Sequence, residues 1–219
     1  MYDAHGNLTQ TDGYNDAGLR LLRDTYEYDA KDHITASRWE LNTGASGGET
    51  TSYKYNRKGQ VTAQTSLNLD GTIKGQHKFK LNDDGKIVDD VTADGKHILK
   101  YDAHGNLIED KSSKADGSVI TTVVNTYNDR GYAVQTLVYD SNGNLTDAPQ
   151  ELGFLPAKTV YTYGESEHLT KKEEFNSDGS LRSRSIYERD KGGWVTEERD
   201  YDSKGECTGL KKSKYEFYP

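Results

Sequence analysis

The stretch Tyr2-Asp3-Ala4-His5-Gly6-Asn7-Leu8 returns letter for letter as Tyr101-Asp102-Ala103-His104-Gly105-Asn106-Leu107. Seven identical residues at two separate places do not recur by chance in a chain of 219 residues. Recurrence of this kind is typical of repeat architectures, in which one small structural unit is stacked many times. The rest of the chain should therefore contain further, less perfect copies.

A relaxed form of the motif has an aromatic residue or Leu, Asp or Asn, two free positions, Gly, one free position and an aliphatic residue. Clear copies begin at Tyr55, Leu67, Leu81, Tyr139 and Phe175, and weaker copies begin at Tyr14, Tyr28, Val91, Ser113, Tyr127, Tyr163, Tyr187 and Tyr201. The starts lie mostly 12 or 14 residues apart, which gives about 15 copies and a double repeat of about 24 to 26 residues. We expect residues 1–219 to form a single repeat domain.

Each copy has the chemistry of a hairpin turn. A carboxylate or amide at the second motif position can accept a hydrogen bond from the backbone two residues on, and the Gly can adopt the left-handed conformation that closes a bulged hairpin loop. Asp-Gly pairs strengthen the signal and begin at Asp12, Asp70, Asp84, Asp94, Asp116 and Asp178. The fold class predicted is all-β, with about 14 to 15 short strands in one long antiparallel, twisted or spiralling up-and-down sheet.

Composition explains why tyrosine matters here. Leu, Ile, Val and Phe together make up about 17% of the chain, a share at which disorder is the usual expectation. The 16 Tyr and only 3 Pro oppose disorder. Alternate copies carry an extra ring two residues before the motif, on the same strand face, as at Tyr26, Tyr53 and Tyr161. The sequence therefore predicts apolar stripes near the strand ends instead of one filled core.

The tandem motif resembles the YD repeats of the RHS (rearrangement hot spot) superfamily, and the resemblance runs from Tyr2 to about Tyr215. It implies antiparallel hairpins that spiral into sheets or shells, in bacterial surface or secreted proteins linked to carbohydrate binding, adhesion or toxin encapsulation. The chain has few hairpins for a closed shell, no toxin domain after Tyr215 and no proline-framed Asp-Pro-x-Gly-Leu segment. Encapsulation and self-cleavage are therefore not expected of it.

Charge and hydropathy exclude several classes of partner. The formal net charge is −8 and the basic residues are scattered, whereas nucleic-acid binding needs a clustered basic surface. No apolar run approaches a membrane span and no signal-peptide core is present. We expect no nucleic-acid partner and no membrane insertion. The family resemblance implies an extracytoplasmic location, either secreted or at the cell surface.

Catalytic and metal chemistry have weak support in the sequence. His5 and His104 occupy the same slot of identical motifs, without a second ligand at zinc spacing. Paired carboxylates such as Glu173-Glu174 point to opposite strand faces and cannot act together as an acid and base pair. Cys207 fills the slot of Leu8 and is expected to be a small core residue. We therefore predict no cofactor, no metal and no enzyme activity.

Two features favour a binding surface. Residues 145–160 interrupt the spacing and contain Pro149 and Pro156, so they form either a lost repeat or a binding loop. Large rings can stack on sugars or anchor a protein partner, and the candidate binding residues are Trp39, Trp194, Phe154 and Tyr132.

Three functional hypotheses follow. The first is a non-catalytic binding or scaffold module with a glycan or protein ligand. The second is a structural segment of a larger RHS-type shell or toxin-associated protein, and the third is a carbohydrate-active enzyme with its site in residues 145–160. An unpaired terminal strand would also permit self-association.

Overall fold

The computed structural model describes residues 1–43, 45–148 and 155–215. Every regular element in these ranges is a β-strand, since a turn signal that returns after 12 or 14 residues leaves room only for short extended segments. The strands are β1 Gln10–Tyr14, β2 Arg20–Tyr28, β3 Ile34–Thr43, β4 Ala45–Tyr55, β5 Val61–Asn68, β6 Ile73–Leu81, β7 Ile87–Val91, β8 Gly95–Tyr101, β9 Leu107–Lys114, β10 Val119–Tyr127, β11 Ala133–Tyr139, β12 Lys158–Tyr163, β13 Leu169–Phe175, β14 Leu181–Arg189, β15 Val195–Tyr201 and β16 Cys207–Lys212.

The hydrogen-bonded order of the strands is the chain order, from β1 to β16. The chain forms two compact units, Met1–His97 (unit one) and Ile98–Pro219 (unit two), and β8 contributes residues to both. Within each unit neighbouring strands pair antiparallel, as β2 does with β3 and β13 with β14. The predicted all-β, up-and-down antiparallel sheet is thus confirmed, with sixteen strands in the described ranges.

The turns have the hydrogen bonds that the motif predicts. In the first copy, Oδ1 of Asp3 accepts from the backbone N–H of His5 at 2.9 Å and of Asn7 at 2.8 Å. The N–H of Gly6 donates to the carbonyl of Asp3, and the N–H of Asp3 donates to the carbonyl of Asn7. Gly6 has φ +89°, in the left-handed region. Each such turn spans five residues, of which the fourth is left-handed. The first is Asp or Asn except in turns 114–118 and 164–168, where it is Lys114 and Gly164.

The register confirms the predicted pair across each turn. The residue before the turn lies opposite the residue after it, as Tyr55 lies opposite Val61 and Phe175 opposite Leu181. A bulge directly precedes each of these pairs, because the five-residue loop inserts an extra residue into one strand.

Two sequence predictions placed a turn at the wrong residues. Asp12-Gly13 lies inside β1 rather than in a turn, and the carboxylate of Asp12 pairs with Arg23 at 2.7 Å. Tyr187 does not begin a copy: the turn is 190–194, and Arg189 lies opposite Val195 at the position that tyrosine fills elsewhere. Tyr187 is instead the extra ring two residues before the motif.

Buried apolar side chains are few. Among the described residues they are Val138, Ala148 and Ala157, all in unit two. The expectation that Cys207 lies in the core was wrong, since Cys207 is exposed. Its strand β16 is the last in the order of the described strands and pairs with β15. The prediction that apolar stripes replace a filled core agrees with this distribution.

The described residues of the 145–160 insertion fold onto β11. The N–H of Val138 donates to the carbonyl of Ala157, and the N–H of Thr146 donates to the carbonyl of Val138. One oxygen of Asp147 accepts from the N–H of Ala157 at 2.9 Å, and the other pairs with Arg182 at 3.2 Å. We call residues 145–148 with 155–157 the strap. Ser112 in β9 and Thr121 in β10 are also buried, and they share a hydrogen bond of 2.9 Å between their hydroxyls.

Consecutive turns of an up-and-down sheet lie alternately at the two rims where strands end. In unit one, the rim here called the tyrosine rim carries turns 3–7, 29–33, 56–60 and 82–86, and the opposite rim carries turns 15–19 and 68–72. In unit two, the rim given the same name carries turns 102–106, 128–132, 164–168 and 190–194, and the opposite rim carries turns 114–118, 140–144, 176–180 and 202–206.

Candidate functional site

The structure describes three of the four candidate binding residues. Trp39 lies in the middle of β3 in unit one, whereas Tyr132 and Trp194 are the fifth residues of two tyrosine-rim turns in unit two. Phe154 lies outside the described residues. The turn 164–168 separates Tyr132 from Trp194 along that rim.

The tyrosine rim is held by a ladder of hydroxyl groups. In each unit, tyrosines that directly precede turns of this rim donate their hydroxyls to the carbonyl of the residue that follows the previous turn of the same rim. The donor and acceptor pairs are Tyr28 to Leu8 at 2.8 Å, Tyr55 to Ile34 at 2.6 Å, Tyr127 to Leu107 at 2.9 Å and Tyr163 to Ala133 at 2.9 Å. Burial raises the pKa of Tyr55, Tyr127 and Tyr163 above its ordinary value, so these phenols remain donors over the physiological pH range.

Arg189 continues this ladder where tyrosine is missing. Its guanidinium donates from Nε and Nη2 to the carbonyl of Leu169, both at 3.3 Å, and from Nη1 to the carbonyl of Gly193 at 2.9 Å. Sequence reasoning missed this residue because it assigned the copy to Tyr187. The signal that could have found it is Asp190, which stands three residues before Gly193.

The variant Tyr163→Phe tests the ladder. The carbonyl of Ala133 would lose its side-chain donor in a half-buried place, so we expect a loss of about 1 kcal/mol in the free energy of unfolding. Urea denaturation followed by circular dichroism measures it. Tyr14→Phe, at a more exposed ring in β1, is the control and should change stability by only a few tenths of a kcal/mol. Equal losses in both variants would contradict the ladder.

The two candidate rings on the rim already have aromatic neighbours. Tyr132 stacks on Tyr163 with ring centroids 5.2 Å apart, and its hydroxyl donates to Glu167 at 3.2 Å. Trp194 lies against Tyr215 at 5.1 Å with the ring planes tilted by 38°. Tyr132 remains 37% exposed and Trp194 48% exposed. The Tyr132 ring therefore packs on the tyrosine that precedes the next turn of the rim, and the Trp194 ring packs on Tyr215, which follows β16.

Trp39 occupies a different environment. Its indole lies over the backbone of Gly47 on the neighbouring strand, where a Cβ would come within 3.8 Å of the ring. It is 38% exposed, and it lies opposite Asp24 on one side and Glu49 on the other. Gly47 lies diagonally from Trp39, opposite Leu41, and because it has no side chain it leaves room for the Trp39 ring.

Each of the two identical motif copies lines a groove on the tyrosine rim of its own unit. The groove in unit two has a volume of about 540 Å³ and runs between turns 102–106 and 128–132. Its counterpart in unit one, between turns 3–7 and 29–33, has a volume of about 450 Å³. In unit one His5 bonds Asp32 at 2.9 Å, and this contact raises the pKa of His5. In unit two Gly131 takes the place of Asp32 and the corresponding carboxylate is missing from the larger groove.

Asp29 makes the stability of unit one depend on pH in the acid range. Hydrogen bonds from the His33 ring and from the backbone of His33 and Lys31 lower the pKa of Asp29 to about 2. Because the folded pKa lies below the unfolded value, the carboxylate stabilises the fold above that unfolded value, and the contribution is lost as the pH falls through about 2.

Comparing the wild-type chain with Asp29→Asn tests this dependence. The amide keeps the acceptor for the turn, as Asn56 does in the next turn of the rim, but it does not titrate. We expect the difference in thermal midpoint to be largest above about pH 5 and to vanish near about pH 2. A difference that stays constant across that range would contradict the assignment.

Adjacent carboxylates make separate contacts, as predicted for opposite strand faces. Glu173 pairs with Lys171 at 2.8 Å and Arg184 at 2.8 Å, whereas Glu174 pairs with Lys172 and accepts from Ser183 at 3.0 Å. The described part of the chain contains no group of three or more His, Cys, Asp or Glu side chains that could hold a metal ion. It also contains no helix with the length and apolar character needed to cross a membrane.

No family model matches the sequence. No curated protein matches it either. Solved structures of Tc toxin components do match the fold. The crystal structure of TcdB2-TccC3-Cdc42 is 12% identical with a TM-score of 0.54, and a Tc holotoxin pore of Photorhabdus luminescens is 12% identical with a TM-score of 0.53. Both alignments cover 93% of this chain and 13% of the other chain. At this identity the likeness shows that the antiparallel hairpin sheet recurs as a small part of much longer toxin components.

Proposed function

We propose that this chain is a non-catalytic structural segment of a larger RHS-type shell in a toxin-associated protein. The observation that carries the proposal is the alignment of 93% of the chain with 13% of a Tc toxin component. A sheet that aligns over nearly its full length with a small share of a much longer chain is expected to form one part of that protein's shell wall. Its partners are then the neighbouring hairpins and whatever protein the shell contacts, and its location is outside the cytoplasm.

The side chains of the described residues support a wall rather than a ligand site. The candidate rings pack on their own repeats, as Tyr132 does on Tyr163 and Trp39 on Gly47. The charged residues in the strand middles pair with one another across the sheet, as Glu173 does with Arg184. Side chains whose partners lie in neighbouring repeats are typical of repeat arrays, in which each repeat is stabilised mainly by contacts with the next.

The decisive measurement is the mass of the native polypeptide. Antibodies raised against this chain would be used to isolate it from its source cells, followed by peptide mapping. We expect a polypeptide several times heavier than 24.5 kDa, with peptides on either side of this segment that carry the same turn motif. A native polypeptide of the present length would contradict the proposal.

A glycan array with the purified chain separates this function from a binding module. We expect no stoichiometric binding of any glycan and no turnover. Saturable binding that is lost on Trp39→Ala or Tyr132→Ala would instead support a carbohydrate-binding module, and formation of a product would support an enzyme.

A further inference from the structure

Successive turns on the tyrosine rim touch through two fixed positions. The side chain of the fifth residue of one turn reaches the fourth, left-handed residue of the next turn on that rim. In unit one, the ring of His33 lies over Gly59 and the amide of Gln60 lies over Gly85. In unit two, Asn106 lies over Gly131 and His168 over Gly193. A glycine at the fourth position leaves room for these side chains.

In two turns of the tyrosine rims the fourth residue is Asp or Glu instead of glycine. In both turns its carboxylate accepts a hydrogen bond from the side chain of the fifth residue of the preceding turn. Asp32 has φ 63° and accepts a hydrogen bond from Nδ2 of Asn7 at 2.7 Å. Glu167 has φ 65° and accepts one from the hydroxyl of Tyr132 at 3.2 Å. These are the only two left-handed residues other than glycine among the described residues. Each acid also pairs with the third residue of the preceding turn, Asp32 with His5 and Glu167 with Arg130.

Space separates the two kinds of pair, since His33, Gln60 and His168 would lie within 2.6 Å of a Cβ added at the glycine that they reach. Asn106 would lie 3.6 Å from a Cβ at Gly131 and leaves room for one.

The opposite rim lacks this contact. Its left-handed glycines, such as Gly179 and Gly205, have no atom within 4 Å of an added Cβ. Three of the fifth residues there, Thr72, Ser118 and Ser180, donate their hydroxyls to the Asp two residues earlier in the same turn, as Ser180 does to Asp178 at 2.6 Å. The pairing between turns is thus confined to the tyrosine rim.

We propose that these two positions form an interaction surface that selects which hairpin can follow which along the tyrosine rim. His or Gln at the fifth position requires glycine at the fourth position of the following turn, because a Cβ there would collide with the side chain. Asn or Tyr at the fifth position leaves room for a side chain and can bond Asp or Glu there. This selection concerns the matching of neighbouring hairpins and holds whether or not the chain belongs to a shell.

Exchanging one kind of pair for the other tests the selection. Gly193→Asp alone should lower the urea midpoint strongly, because the carboxylate would meet the ring of His168. Adding His168→Asn supplies the donor that Asn7 provides to Asp32, and most of the lost midpoint should return. Analysed as a double-mutant cycle, the two sites should couple by about tenfold in the unfolding equilibrium constant.

The matched control uses the opposite rim of the same unit. Ser180→Asn with Gly205→Asp changes the same two positions, but no contact joins them, so the coupling should be about twofold or less. Absence of coupling at 168 and 193, or equal coupling on both rims, would overturn the proposal. If Gly193→Asp does not fold alone, recovery of folding by adding His168→Asn supports the proposal. The reverse exchange, Tyr132→His with Glu167→Gly, then gives the coupling, and no coupling there would overturn it.

Discussion

Val138→Asp should lower the free energy of unfolding of unit two by about 3 kcal/mol or more. The side chain of Val138 is 0% exposed, and its backbone is hydrogen-bonded to both arms of the strap, at Thr146 and Ala157. A carboxylate there would lose its water and find no donor in exchange, which costs several kcal/mol. The strap would have to lift from the sheet to hydrate it.

Val91→Asp is the control for this substitution. Val91 lies in β7 of unit one and is 39% exposed, so the same change should cost about 1 kcal/mol or less. Urea denaturation gives the loss in the free energy of unfolding for each variant. Amide hydrogen exchange shows whether the Val138→Asp variant loses protection mainly in β9 to β12. Similar losses in the two variants would mean that the strap does not bury Val138.

Gly59→Ala should cost about 3 kcal/mol in unit one, and Gly71→Ala about 1 kcal/mol. Both glycines are left-handed, with φ +77° and +82°, so an alanine pays a similar backbone cost of about 1 kcal/mol at either place. At Gly59 the new methyl would lie 2.6 Å from Nε2 of His33. At Gly71 it would meet nothing within 4 Å.

The His33 ring cannot yield without loss. It stacks on Tyr55 at 4.8 Å and bonds Asp29 at 3.0 Å, so moving it weakens both contacts and adds about 2 kcal/mol to the backbone cost. Thermal and urea midpoints of the two variants measure the difference. In a His33→Ala background the two alanine variants should become equally costly, and a difference that survives there would contradict the steric explanation.

The sequence was sufficient to predict most of the turns and the pairs of residues that flank them. Both depend on residues within one motif copy: the Asx oxygen caps its own turn, as Asp3 does, and the flanking residues pair across it, as Tyr55 and Val61 do. Asp12-Gly13 misled because a dipeptide alone does not define the turn. The next copy begins directly afterwards at Tyr14, and a turn at residues 12–13 would leave no residues for β1.

Contacts between different motif copies could not be predicted from the motif alone. Tyr28 and Leu8 are separated by 20 residues and Tyr163 and Ala133 by 30, so the ladder emerges only when the sheet places alternate turns side by side. Arg189 could not be predicted for the same reason. The position before a turn of this rim needs a side-chain donor long enough to reach the carbonyl of Leu169, and arginine meets that need as well as tyrosine. The choice of Trp39, Tyr132 and Trp194 as ligand contacts considered only ring size, whereas their packing partners depend on register.

The chain order of the strands has a consequence for synthesis on the ribosome. Each strand finds its partner in the segment made just before it, so a hairpin can close as soon as its second arm emerges and need not wait for distant sequence. The strap departs from this order, since Asp147 pairs with Arg182, which is translated 35 residues later. Nascent chains halted just before and just after Arg182 should therefore differ in how firmly the strap is closed.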